Sequence, residues 1–210
     1  MTQEGLDRAE FEELSRRLKL QFVSPRTLLG GMSVVDETSR LTGQYQDPNY
    51  LPFYYHMGRV FHPSRVFCFG LDLGLHLSCL LKGCPEPKSA VCLQPPSDSF
   101  YSPRLAVLNI KTVAGRKFPL VVHTGSIQDQ ALSASLSAGV DAAIVTREMS
   151  SDPLMEALDF CWKGLSPEGF LALDHLSHRG SEQVFLDFCK SKGAEWSFFK
   201  TRYKMGIAIK

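Results

Sequence analysis

The chain has 210 residues, 44% of them apolar and 21% charged, enough for one domain with a full hydrophobic core and an ordinary balance for a globular protein. Lys and Arg total 23 against 22 Asp and Glu, so no bulk field gathers nucleic acid or anionic lipid, and a small ligand or a protein partner fits better. No apolar run approaches the ~20 residues of a membrane span, the charged N-terminal stretch is unlike a signal peptide, and the six cysteines form neither a CxxC pair nor a zinc spacing, which predicts reduced, buried thiols in a cytoplasmic setting.

From the N-terminus, Leu6 to Leu20 carries a loose apolar stripe through Leu6, Phe11, Leu14 and Leu18, with acidic residues early and basic residues late. That is the pattern of an amphipathic helix whose charges complement its dipole. Ser24 to Pro48 is irregular, with Gly30-Gly31, Gly43 and two prolines; a loop of that length is more often functional or interfacial than idle. Tyr45, Tyr50, Phe53, Tyr54 and Tyr55 concentrate aromatics around the start of a helix predicted over Asn49 to Phe61. Those rings either pack that helix on the sheet or roof the turn that follows it. Residues 1–48 are thus predicted as a helix and irregular arm, and 49–210 as the α/β domain.

The first strand is Val66 to Phe69, a short apolar run stopped by Gly70. Gly70-Leu71-Asp72-Leu73-Gly74 reads as a tight turn, and Leu75 to Leu81 repeats apolar residues at helical spacing. Strand, glycine turn and helix make the opening unit of a doubly wound fold, with free N–H groups at the helix start. The same alternation continues through strands at Ser89–Leu93, Leu120–His123, Val140–Val145 and Phe170–Leu173. Helices are predicted over Tyr101–Val113, Ile127–Ser137, Pro153–Leu165 and Ser181–Lys192, the last stopped by Gly193. Glu195–Lys200 and Met205–Ile209 follow as two strands with only a turn between them. The expectation is a Rossmann-like, seven-stranded, mostly parallel sheet with helices on both faces and an antiparallel C-terminal hairpin.

FCFGLDLGLHLS, SAVCLQ, HTGSIQD and the long segment DAAIVTREMSSDPLMEALDFCWKGLSPEGFLALDHL resemble, in order, motifs of the class I S-adenosylmethionine-dependent methyltransferases. The local match is best with the small stand-alone branch that includes the macrocin-type O-methyltransferases, and it covers Tyr50 to Lys210. The resemblance implies S-adenosylmethionine as cofactor, held by Gly70, Asp72 and Gly74 of the turn, Gln94 at the ribose and Ser126 near the adenine. It implies methyl transfer to an acceptor that the motifs leave open. Small proteins of this kind also occur in bacterial viruses, so a catalytically inactive structural or assembly protein on the same fold is the alternative.

Several positions depart from the family pattern. Cys68 stands at the acidic position of the first motif, Asp72 replaces the middle glycine, and Gln94 replaces the ribose-binding carboxylate. Asp tolerates the left-handed region, so the turn can still form, whereas a carboxamide bonds hydroxyls without charge assistance. After strand four, Thr146, Glu148 and Met149 stand where the metal-dependent branch needs oxygen ligands for a hard cation; the expectation is a metal-independent site. Asp174 and His175 end strand five at the carboxyl edge, where open α/β sheets bind ligands. His175 is the candidate general base, with Asp174 or Glu148 orienting it; Asp174 as a plain loop cap is the competing reading. His76 and His123 read as structural, and Arg147 with Glu148 as a solvated loop pair. The aromatic arm is the candidate surface for self-association or a partner.

Overall fold

A computed structural model describes residues 50–71, 73–95, 103–178, 180–199 and 204–210. Seven strands form one sheet in the order β3-β2-β1-β4-β5-β7-β6. They are β1 (Arg65–Phe69), β2 (Ser89–Gln94), β3 (Leu120–Thr124), β4 (Val140–Val145), β5 (Leu165–Leu173), β6 (Glu195–Phe199) and β7 (Met205–Ile209). Strands β1 to β5 run parallel, and β7 lies antiparallel between β5 and β6. The helices are α1 (Tyr50–Phe61), α2 (Leu75–Gly83), α3 (Pro103–Ala114), α4 (Gln130–Leu136), α5 (Ser151–Gly164) and α6 (Ser181–Lys192).

The continuous apolar runs of the central strands arise because both faces are covered, and the two-residue period of a strand divides them. On β1, Val66 and Cys68 enter one core with Tyr54, Leu77, Leu80 and Ile110 of α1, α2 and α3. Phe67 and Phe69 enter the other with Leu132, Leu158 and Phe185 of α4, α5 and α6. The expected fold is therefore present, including the antiparallel C-terminal hairpin; the structure adds that β7 inserts between β5 and β6.

Two element starts differ from the sequence expectation by three residues or more. Helix α4 starts at Gln130 rather than Ile127, because Asp129 in extended conformation accepts the Ala131 N–H and caps it. Strand β5 begins at Leu165, earlier than Phe170: Val140 pairs with Leu165 and Ala142 with Phe170, so the Ser166–Gly169 turn bulges out within the strand. The predicted helix over Leu6 to Leu20 and the loop over Ser24 to Pro48 lie outside the described residues.

Helix α1 is an integral part of the domain. It crosses α2 so closely that a Cβ on Gly58 would stand 2.2 Å from the Leu80 carbonyl oxygen, and one on Gly83 2.0 Å from that of Tyr55. Phe53 and Tyr54 are buried, and the Phe53 ring meets Phe199 of β6 at 4.3 Å between centroids. This close seat brings Tyr54 over the first turn of α2.

Candidate functional site

The strand order reverses between β1 and β4, so their carboxyl ends are the switch point of the sheet, the place where open α/β sheets bind ligands. Gly70 leaves β1 there with φ 91. Its N–H donates to the Leu93 carbonyl at 3.0 Å, and its own carbonyl accepts from the Thr146 hydroxyl and the Cys68 thiol. Thr146, at a position the metal-dependent pattern would fill with a carboxylate, thus ties β4 to the turn after β1.

The rest of the turn is bonded inward as well. Gln94 is buried, and its Oε1 accepts the Leu71 N–H at 2.9 Å. The Gly74 N–H donates to the Leu71 carbonyl, Asn109 of α3 donates to the Leu73 carbonyl at 2.9 Å, and the Ser78 hydroxyl donates to the Gly74 carbonyl at 2.7 Å. Both glycines are buried. A Cβ on Gly70 would lie 3.0 Å from Thr146 Oγ1, and one on Gly74, at φ 71, would lie 2.9 Å from the Ala106 carbonyl oxygen and 3.0 Å from Ile110. Gly74 is therefore required by the crossing of the turn with α3, and a valine there disturbs packing before it disturbs any ligand. Asp72 lies outside the described residues.

Ser126 is exposed just beyond the carboxyl end of β3. Its hydroxyl bonds Gln128, whose amide donates to Glu156 at 2.6 Å. Gly70, Gln94, Ser126, Asp174 and His175 are thus all brought to the carboxyl edge of the sheet, at the ends of β1, β2, β3 and β5 in turn.

The polar centre of the edge lies around β5. Asp174 is buried, and its Oδ2 is 3.6 Å from Nε2 of His76, on the first turn of α2. The Tyr54 ring stands edge-on to His76 at 5.2 Å. Burial, reinforced by the charge of His175, pushes His76 down to about 3, so it is a neutral imidazole at physiological pH. The Asp174 N–H is spent on the Val145 carbonyl, which locks the end of β5 to β4.

His175 follows in the left-handed region, with φ 60. A histidine there is an uncommon backbone state that the surrounding bonds must hold. Those bonds are Asp174 N–H to Val145 at 3.0 Å, Leu176 N–H to Lys204 at 3.0 Å, and His178 N–H to His175 at 3.0 Å. The result points two imidazoles at one carboxylate: Nδ1 of His175 lies 3.4 Å from Oε1 of Glu148, and Nδ1 of His178 lies 3.6 Å from Oε2. Burial lowers the pKa of His175, Glu148 opposes that shift, and His178 adds to it.

Sequence reasoning placed His175 and Glu148 in reach of each other, but not His178, and it read His76 as structural. Glu148, expected in a solvated pair with Arg147, has two histidines against its two oxygens. The signal for His178 was its spacing in Asp174-His175-Leu176-Ser177-His178, where one tight turn places both rings on one side. His123 behaves as read, contacting the Ser135 hydroxyl at 3.0 Å on an edge strand. Among the described residues, no group of three or more His, Cys, Asp or Glu side chains is arranged to hold a metal ion. All six cysteines are buried and none forms a disulfide, and no described helix is long and apolar enough to cross a membrane.

No family model matches the chain, and no curated protein matches it in sequence. Solved structures do match it in shape. The O-methyltransferase from Bacillus cereus in complex with SAH superposes with a TM-score of 0.65 at 14% identity, over 94% of this chain and 96% of that one. The O-methyltransferase TomG from Streptomyces achromogenes, involved in tomaymycin synthesis and solved in complex with SAM, gives 0.64 at 14% identity, over 97% and 98%. The SAH-bound methyltransferase of Podospora anserina gives 0.64 at 12% identity, over 99% and 98%. The chain has the fold of these methyltransferases along nearly their whole length.

Proposed function

We propose that the chain is an S-adenosylmethionine-dependent methyltransferase of the macrocin-type kind, acting without a metal on an acceptor hydroxyl. The observation that carries this reading is the convergence of Gly70, Gln94, Ser126 and the Asp174–His175 step on the carboxyl edge at the sheet's switch point. Solved proteins of this fold carry SAM or SAH. The donor set fits the cofactor by chemistry: carboxamide and hydroxyl groups for its sugar and base. The bound cofactor supplies a methyl group on a sulfonium centre, and the protein's part is placement and proton acceptance. Gln94 holds the turn through Leu71 and borders the ribose side. Ser126 borders the adenine side. His175 is the proton acceptor, and Asp174 fixes the β5 end from which it projects.

One observation favours the alternative, a methyltransferase-shaped assembly protein without catalysis. The N–H groups of Gly70, Leu71 and Gly74 are bonded to the protein itself, and a Cβ on either glycine would meet protein atoms, so those three donors are not open to a cofactor. In either reading the segment ahead of α1, which carries Phe11, Phe22 and Tyr45, is the proposed contact to a second copy or a partner, since aromatic residues are enriched at interfaces.

Calorimetry with S-adenosylmethionine and S-adenosylhomocysteine on the whole chain decides between them. Saturable heat at micromolar to millimolar cofactor is expected, unchanged by EDTA. The absence of heat at millimolar cofactor selects the assembly protein.

A further inference from the structure

The carboxylate of Glu148 faces two imidazoles that belong to one turn, one oxygen to each ring. Glu148 is itself more than half exposed, on the loop after β4, whereas His175 is largely buried. A solvated carboxylate set against a shielded imidazole orients it by charge: the ring proton is favoured on the nitrogen nearest the negative oxygens. The backbone at His175 is held in its left-handed state from β4 and from the start of β7, so the ring is presented to Glu148 by the fold and not by a mobile loop. His178 claims the second oxygen of the same carboxylate, and thereby sets how much of its charge His175 receives.

We propose that Glu148 is a positioning residue for His175, keeping the imidazole proton on Nδ1 so that Nε2 is the nitrogen that accepts a proton, with His178 as the counterweight on the same carboxylate. The inference rests on the methyl-transfer reading and deepens it. The proton of the acceptor O–H passes to Nε2, the bonding pair stays on the oxygen as the nucleophilic lone pair, and the imidazolium formed is balanced by Glu148 until it releases the proton to water. Among the described residues, the titratable groups that bear on His175 include Glu148, His178 and His76, with Asp174 adjacent in the chain. Glu148 is the one among them whose removal lowers the basicity of His175, and His178 the one whose removal raises it.

The test is two-bond proton–nitrogen NMR of the histidine rings in the nitrogen-labelled full chain, with His175 assigned by its loss in His175→Gln. In Glu148→Gln the share of the Nδ1–H tautomer of His175 falls and its titration midpoint moves down. In His178→Gln the midpoint moves up, and Glu148→Asp restores part of the native tautomer share. Both residues are substantially solvent-exposed, so circular dichroism is expected to show folded variants. A folded Glu148→Gln with unchanged tautomer and midpoint overturns the inference, and should that variant fail to fold, an unmoved midpoint in His178→Gln does so. Calorimetry on the same samples separates the two claims. Cofactor heat with an unmoved His175 removes the positioning role alone, whereas a moved His175 without cofactor heat removes the methyl-transfer reading on which it rests.

Discussion

At the residue scale, His76 ties the candidate site to the stability of the domain. The folded chain keeps its imidazole neutral down to about 3, while an unfolded histidine takes up a proton near its ordinary value of ~6.5. Between those two values the unfolded chain binds more protons, so stability is fully present above the unfolded value and falls as the pH is lowered through that window. Burial lowers His175 in the same direction. Urea unfolding should therefore show a loss of up to about 2 kcal/mol from His76 on going from about pH 7 to about pH 5. In His76→Gln this part of the pH dependence is expected to vanish. An equal slope in native and variant chains refutes the assignment of His76 as a buried neutral imidazole.

At the element scale, the seat of α1 on α2 decides where the site ends. The crossing depends on a bare backbone at Gly58, where an added Cβ meets the Leu80 carbonyl oxygen at 2.2 Å. That neighbour is helical backbone and cannot rotate aside. Gly58→Ala should push α1 outward and lower stability by about 1–3 kcal/mol, as overpacking does elsewhere. Because Tyr54 is buried on α1 and meets His76, the shift should also unshield His76 and raise its titration midpoint. Equilibrium unfolding together with the His76 NMR titration checks both. A variant as stable as the native chain would mean that the helices have room to separate at no cost.

At the scale of the whole molecule, the arm distinguishes a free-standing domain from an assembling one. Of its aromatic cluster, Phe53 and Tyr54 are committed to the core of the domain, and Tyr55 packs partly against it. Deleting residues 1–46 spares α1 and should leave a folded domain. The truncated chain is expected to give a lower molar mass by light scattering than loss of the arm itself accounts for, because interface energy concentrates in a few aromatic anchors. If full-length and truncated chains are both monomers, and the full-length form retains no partner, the interface role of the arm is lost along with the main support for an assembly protein.

The sequence by itself determined the sheet. Short apolar runs alternating with helical periodicity admit few arrangements once parallel strands must be covered on both faces, and the closing pair of strands at Glu195 and Met205 has only a turn's length between them. It also determined that Gln94, Ser126 and Asp174 stand at or just past the carboxyl ends of apolar strands. Tertiary structure alone decided what those residues touch. Gly74 is needed against α3, a contact with Ala106 and Ile110 that no local pattern announces. Gln94 turns inward because the Leu71 N–H requires an acceptor in a buried turn. His76 and Asp174 stand 98 positions apart in the chain, and only the docking of α2 across the end of β5 brings them within 3.6 Å. Propensity and periodicity are local, whereas the partner of a buried polar group is set by the packing of elements distant in sequence.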